Sequence, residues 1–123
     1  EGVCGIVQNY EQTKEDSDDP VIKMVRLIKQ NYASSLSIPE LSKQAGLSQR
    51  QLERLFKKRF RVSPREYIIR LRILIAADQL SQSRATITQI ALDCGFYDHS
   101  SFTRYFKRNM GCLPLSYRKE HSI

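Results

Sequence analysis

Two stretches decide how this chain folds: Ile38-Pro39-Glu40-Leu41-Ser42-Lys43-Gln44-Ala45-Gly46 and, 49 positions later, Ile87-Thr88-Gln89-Ile90-Ala91-Leu92-Asp93-Cys94-Gly95. Beyond the glycine the offset becomes 50. Leu52 then answers Phe102, Arg54 answers Arg104, Leu55 answers Tyr105, and Phe56-Lys57-Lys58 answers Phe106-Lys107-Arg108. The match continues through Phe60 and Met110, Val62 and Cys112, Pro64 and Pro114, and Tyr67 and Tyr117. Periods of this length can signal solenoids, but two copies with a long apolar segment between them point to a pseudo-symmetric, two-lobed domain.

Each copy reads as helix, tight turn, helix. In the first, Ser37 and Glu40 have the spacing of a capping box, and Leu41 and Ala45 face inward. Gly46 supplies the left-handed residue that ends the helix. Ser48 and Gln51 form a second capping box, opening a helix with Leu52, Leu55, Phe56 and Phe60 at helical spacing. In the second copy Thr86 caps, Gly95 terminates, and Asp98 caps the helix that carries Phe102, Tyr105 and Phe106.

The flanking segments complete the pattern. Asp19-Pro20 marks the start of a helix whose stripe is Val21, Met24, Val25, Leu27 and Ile28, ending near Asn31-Tyr32. Between the copies, Ser63 and Glu66 cap a helix running to about Leu80, apolar on most faces and therefore expected to be buried against both lobes. Pro114 starts a short last helix with Tyr117. The expected fold is all-α: seven helices, two helix-turn-helix subdomains joined by a long central helix, a homeodomain-like tandem. The expected divisions are an acidic tail (1–19), a first subdomain (20–62), a connecting helix (63–81) and a second subdomain (82–123).

The net charge of +7 hides an asymmetry. Residues 1–19 hold Glu1, Glu11, Glu15, Asp16, Asp18 and Asp19 against Lys14; the rest carries 19 basic and 7 acidic groups, a net of +12. Such a body suits a polyanion. Nine of the basic groups fall within residues 49–72, on and just after the second helix of the first copy. Charge placed there neutralises phosphates, and helix-glycine-helix is the framework of DNA-binding helix-turn-helix units.

Helical spacing defines the outward set. With Leu52, Leu55 and Phe56 facing the core, Arg50, Glu53, Arg54 and Lys57 lie outside, with Gln49 at the helix start, where groove-reading residues sit. Arg50 and Arg54 can each clasp guanine, Glu53 can accept from cytosine N4 or else pair with Lys57, and Gln49 can read adenine. The corresponding set in the second copy is His99, Ser100, Thr103 and Arg104, with Thr103 able to meet a thymine methyl.

The segments Ser48–Lys58 and Leu71–Ala77, and above all Ile87-xx-Ile90-Ala91-xx-Cys94-Gly95-Phe96, Ser101-Phe102-Thr103-Arg104-Tyr105-Phe106-Lys107 and Pro114-xx-Tyr117-Arg118, resemble the AraC/XylS transcription regulators across residues 20–119. The resemblance implies seven helices placing two recognition helices, about 48–60 and 98–109, in adjacent major-groove segments of double-stranded DNA. The corresponding site is asymmetric and bipartite, its halves about one helical turn apart. It implies base reading by Arg50, Glu53, Arg54, His99, Ser100, Thr103 and Arg104, and backbone positioning by Lys57, Lys58, Arg59, Lys107 and Arg108. Arg72 is assigned a structural ion pair. Activation of transcription, RNA polymerase as a second partner and a small-molecule effector held by a separate upstream domain follow from the same resemblance; a start at Glu1 rather than Met agrees with a fragment.

Other classes find less support. Asp98-His99-Ser100 has the letters of a catalytic triad, but neighbouring residues at a helix start diverge. His99, Cys94 and Cys112 lack metal-ligand spacing, no glycine-rich phosphate loop occurs, and nothing calls for a cofactor or an enzyme. Cys4, Cys94 and Cys112 leave an odd thiol under any pairing and point to a reducing cytoplasm, with the nucleoid as the place of work; Cys94 and Cys112 read as small buried apolar groups. No run approaches a membrane span, and no signal peptide is present. Two rival readings stand: a protein-docking module, given the weaker charge of the second copy, and binding of RNA or of nucleic acid without regard to sequence.

Overall fold

A computed structural model describes residues 19–122, so all of the acidic tail but Asp19, and Cys4 with it, lies outside the described residues. Among them there are seven helices and no strand: α1 (Pro20–Asn31), α2 (Ile38–Ala45), α3 (Gln49–Phe60), α4 (Pro64–Gln82), α5 (Ile87–Asp93), α6 (His99–Met110) and α7 (Pro114–His121). Compact packing divides the chain between Ile68 and Ile69, inside α4.

Local chemistry starts six of the seven helices where the capping residues stand, whereas α7 has Leu113 at its start and no side-chain cap. Asp19 Oδ1 accepts from the Val21 N–H at 2.9 Å, Ser37 Oγ from Glu40 at 3.4 Å, Thr86 Oγ1 from Gln89 at 3.1 Å and Asp98 Oδ1 from Ser101 at 2.8 Å. Each bond satisfies one of the donors that a helix start leaves without a partner. Ser48 and Gln51 form the full reciprocal box, at 3.1 and 2.9 Å. Ser63 Oγ caps α4 through the Glu66 N–H at 3.1 Å.

In the first unit α1, α2 and α3 enclose Val21, Met24, Val25, Ile28, Leu41, Leu52 and Phe56, all buried. Tyr67, at the start of α4, meets Phe56 edge-on at 5.6 Å and 79°. The second unit buries Ile73, Ala76 and Leu80 of α4 with Ile90, Ala91, Cys94, Phe96, Phe102 and Phe106. There Tyr117 meets Phe106 at 5.6 Å and 77°. Two aromatic pairs that matched in sequence thus repeat in geometry. Full burial of such side chains stabilises by roughly 1.5–3 kcal/mol each.

Two details of α4 and its surroundings differ from expectation. The helix runs to Gln82 rather than Leu80, and it is not buried all round: Leu74 is 38% exposed, and Arg70, Asp78 and Gln79 face solvent. Cys94 is buried as expected, but Cys112 is only half-buried.

Candidate nucleic-acid interface

Each helix-turn-helix is built by the same backbone device. In the first, Gly46 adopts φ 74°, its N–H bonds Lys43 O, and the Leu47 N–H reaches Ser42 O at 2.9 Å. In the second, Gly95 adopts φ 99°, its N–H bonds Leu92 O, and the Phe96 N–H reaches Ala91 O at 3.0 Å. These paired bonds close the helix C-terminus around a left-handed residue, which glycine occupies without penalty from a Cβ. The register aligns Leu47 with Phe96 and the caps Ser48 with Asp98, so Tyr97 is the extra residue that changes the offset from 49 to 50.

On α3, Leu52 and Phe56 are fully buried, whereas Gln49, Arg50, Glu53, Arg54, Lys57, Lys58 and Arg59 are exposed. Among the described residues Glu53 forms no ion pair with Lys57. On α6, Phe102 and Phe106 are buried and His99, Ser100, Arg104, Lys107 and Arg108 are exposed. The guanidiniums of Arg104 and Arg108 lie 5.2 and 5.3 Å from the centre of the Tyr105 ring, within cation–π reach of it.

Two residues are placed differently from the rest of their sets. Thr103 is half-buried, and its hydroxyl oxygen is shut off from solvent without a hydrogen-bond partner. Arg59 donates to Asp19 Oδ2 at 3.0 Å, joining the end of α3 to the cap of α1. Partial burial raises the Asp19 pKa, but the hydrogen bonds from Arg59 and the Val21 N–H outweigh it and hold the carboxyl below its ordinary value.

Electrostatics elsewhere are structural. Burial pushes the Cys94 thiol up to about 11, with Asp93 adding to the effect and Arg72 opposing it, so the sulfur stays a neutral core group. Burial likewise lowers the pKa of half-buried Arg72. Arg118 closes the Pro114-xx-Tyr117-Arg118 pattern. It donates from Nε to Leu80 O at 3.0 Å and from Nη2 to Ser83 O at 3.2 Å, satisfying carbonyls at the end of α4. No local signal could have paired residues 38 apart. Among the described residues no three His, Cys, Asp or Glu side chains gather as a metal site, and no helix is long and apolar enough to cross a membrane.

Comparison with known proteins agrees with this geometry. A helix-turn-helix domain family matches residues 41–120. An AraC-type transcriptional regulator from Chromobacterium violaceum superimposes with a TM-score of 0.79 at 31% identity, over 87% of this chain and 96% of that one. The DNA-binding domain of AdpA, solved in complex with a target DNA, gives 0.79 at 25% identity, over 83% and 92%. The HTH-type transcriptional activator RhaS of Yersinia pestis (strain Pestoides F) is 32% identical over 109 residues, which is 89% of this chain and 40% of that protein. The chain belongs to the AraC-type helix-turn-helix family of transcription regulators, and it spans less than half the length of the RhaS relative.

Proposed function

We propose that this chain is a sequence-specific duplex-DNA-binding domain that seats α3 and α6 in successive major-groove segments. The observation that carries this is that both helices bury one face and turn the other to solvent, the exposed face holding donors and acceptors suited to base edges at its N-terminal end. In this reading Gln49, Arg50, Glu53, Arg54, His99, Ser100 and Arg104 read bases. Thr103 joins them only through its methyl group, since its hydroxyl is buried. Lys57, Lys58, Lys107 and Arg108 hold phosphates. Arg59 reaches a phosphate only after exchanging its bond with Asp19.

Two unlike units in one chain read two unlike half-sites, which makes the target asymmetric. In the longer regulator, activation of transcription is an extension of the same proposal, suggested by the RhaS relative, a transcriptional activator; contact with RNA polymerase and an effector bound outside residues 1–123 extend it further on the family resemblance alone. Selection of bound duplexes from a random pool, followed by titration against the enriched and scrambled sequences, tests the core claim. An enriched bipartite motif is expected. Equal affinity for every duplex would leave only charge-driven binding.

A further inference from the structure

Tyr97 has no counterpart in the first unit and is 89% exposed, the most exposed of the large apolar side chains among the described residues. It stands between Phe96, which closes the turn, and Asp98, which caps α6. We propose that Tyr97 is a DNA-backbone contact of the second unit: its phenol donates a hydrogen bond to the phosphate flanking the bases faced by His99 and Ser100. This rests on the DNA-binding reading above.

Position supplies the first argument. A recognition helix that enters the groove by its N-terminal end carries the residue just before its cap past the phosphate wall. Charge supplies the second. From Leu92 to Thr103 the chain has no Lys or Arg, while Asp93 and Asp98 are both exposed acids. The Ser101 N–H and hydroxyl hold Asp98 below its ordinary pKa, so it is ionised at neutral pH. A cation at this end would be drawn to that carboxylate, whereas a neutral phenol keeps its donor for a phosphate oxygen, a contact tyrosine commonly makes. The first unit reaches the same end with a neutral cap, Ser48, and with Arg50 two residues on. It therefore needs no such group. Packing within the second unit does not account for Tyr97, because a ring so exposed recovers almost none of the stabilisation an aromatic side chain gives when buried.

The test uses the chain with its selected duplex, in parallel with a duplex bearing one neutral methylphosphonate beside the half-site read by α6. Y97A and Y97F are each expected to lose about tenfold in affinity on the natural duplex, since both lack the hydroxyl. Wild type should lose a similar factor on the modified duplex, and Y97A should lose nothing more there. Unchanged affinity for Y97A would overturn the proposal. Full affinity for Y97F would overturn the hydrogen bond, and so would equal methylphosphonate losses for wild type and Y97A. Circular dichroism of the variants separates these results from misfolding. A wild-type chain that enriches no duplex would instead sink the DNA-binding reading and this inference with it.

Discussion

Phe56 meets Tyr67 and Phe106 meets Tyr117 at the same distance and nearly the same angle, yet the two units turn different chemistry outward. The first shows Arg50, Arg54, Lys57 and Lys58 along α3 behind a neutral serine cap. The second shows His99, Ser100 and Arg104 behind an ionised aspartate, with Lys107 and Arg108 further along α6 in the places of Lys57 and Lys58. Among the described residues every large apolar side chain well exposed to solvent, namely Leu74, Leu92, Tyr97, Leu113 and Leu115, belongs to residues 69–123. A duplicated scaffold constrains the buried faces alone, because packing punishes changes there while solvent tolerates them. The outward faces were free to diverge. We propose that the first unit supplies more of the affinity and the second tunes which sequences are accepted.

The largest effect should come from the matched core position where the units differ in bulk. Phe102 is fully buried against Phe96 and Phe106, at 5.2 and 5.5 Å, where the first unit has Leu52. F102A should cost about 3–5 kcal/mol in urea unfolding and L52A about 2–5, with F102A the worse of the two. The reverse order would mean that the second core collapses around its cavity more readily than the first.

Next come the paired arginines. R54A and R104A should each lose roughly 1–3 kcal/mol on the selected duplex, and each should relax preference at a base pair in its own half-site. A uniform loss on all sequences would reduce them to phosphate contacts. Changing Lys57 and Lys58 together should flatten the salt dependence, which falls in slope by about one for each phosphate contact removed.

Arg118 separates the units in stability rather than binding, since its counterpart 50 positions earlier is Ile68. R118A leaves the Leu80 and Ser83 carbonyls without their donor and should cost about 1–2 kcal/mol after allowance for its partial exposure. A thermal melt reads this directly; a loss matched by R118K would credit the forked geometry rather than the charge.

A smaller effect is expected where α3 and α6 end. Arg61 holds φ 66° at the position where the second unit has Gly111 at φ 82°. R61G should stabilise by about 0.5–1 kcal/mol and G111A should destabilise by about 1 kcal/mol, although a Cβ on Gly111 would touch nothing. The smallest effect is set by pH. Hydrogen bonding from Ser101 lowers the Asp98 pKa, so the stability it lends is present above the ordinary carboxylate value of 3.8 and is lost as pH falls through its folded value. D98S, which copies the cap of the first unit, should unfold with a shallower dependence at acid pH. It should also bind DNA more tightly, because a negative charge leaves the groove-facing end of α6.

What the amino-acid order determined by itself was everything carried by neighbours along the chain. Caps at Asp19, Ser48, Thr86 and Asp98, left-handed turns at Gly46 and Gly95, and the inward stripes of α3 and α6 depend on spacings of two to five residues. Helix geometry converts those spacings into contacts without help from the rest of the molecule. The repeat then extended the reading from one unit to the other. Tertiary structure decided the rest: the bond from Arg59 to Asp19 across 40 residues, the donation of Arg118 to the end of α4, the burial of the Thr103 hydroxyl and the exposure of Leu74. It also identified Tyr97 as the inserted residue, through the two matching turn hydrogen bonds. Periodicity assigns a side chain to a face, but which neighbour covers that face is set by elements distant in sequence, whose packing leaves no local trace.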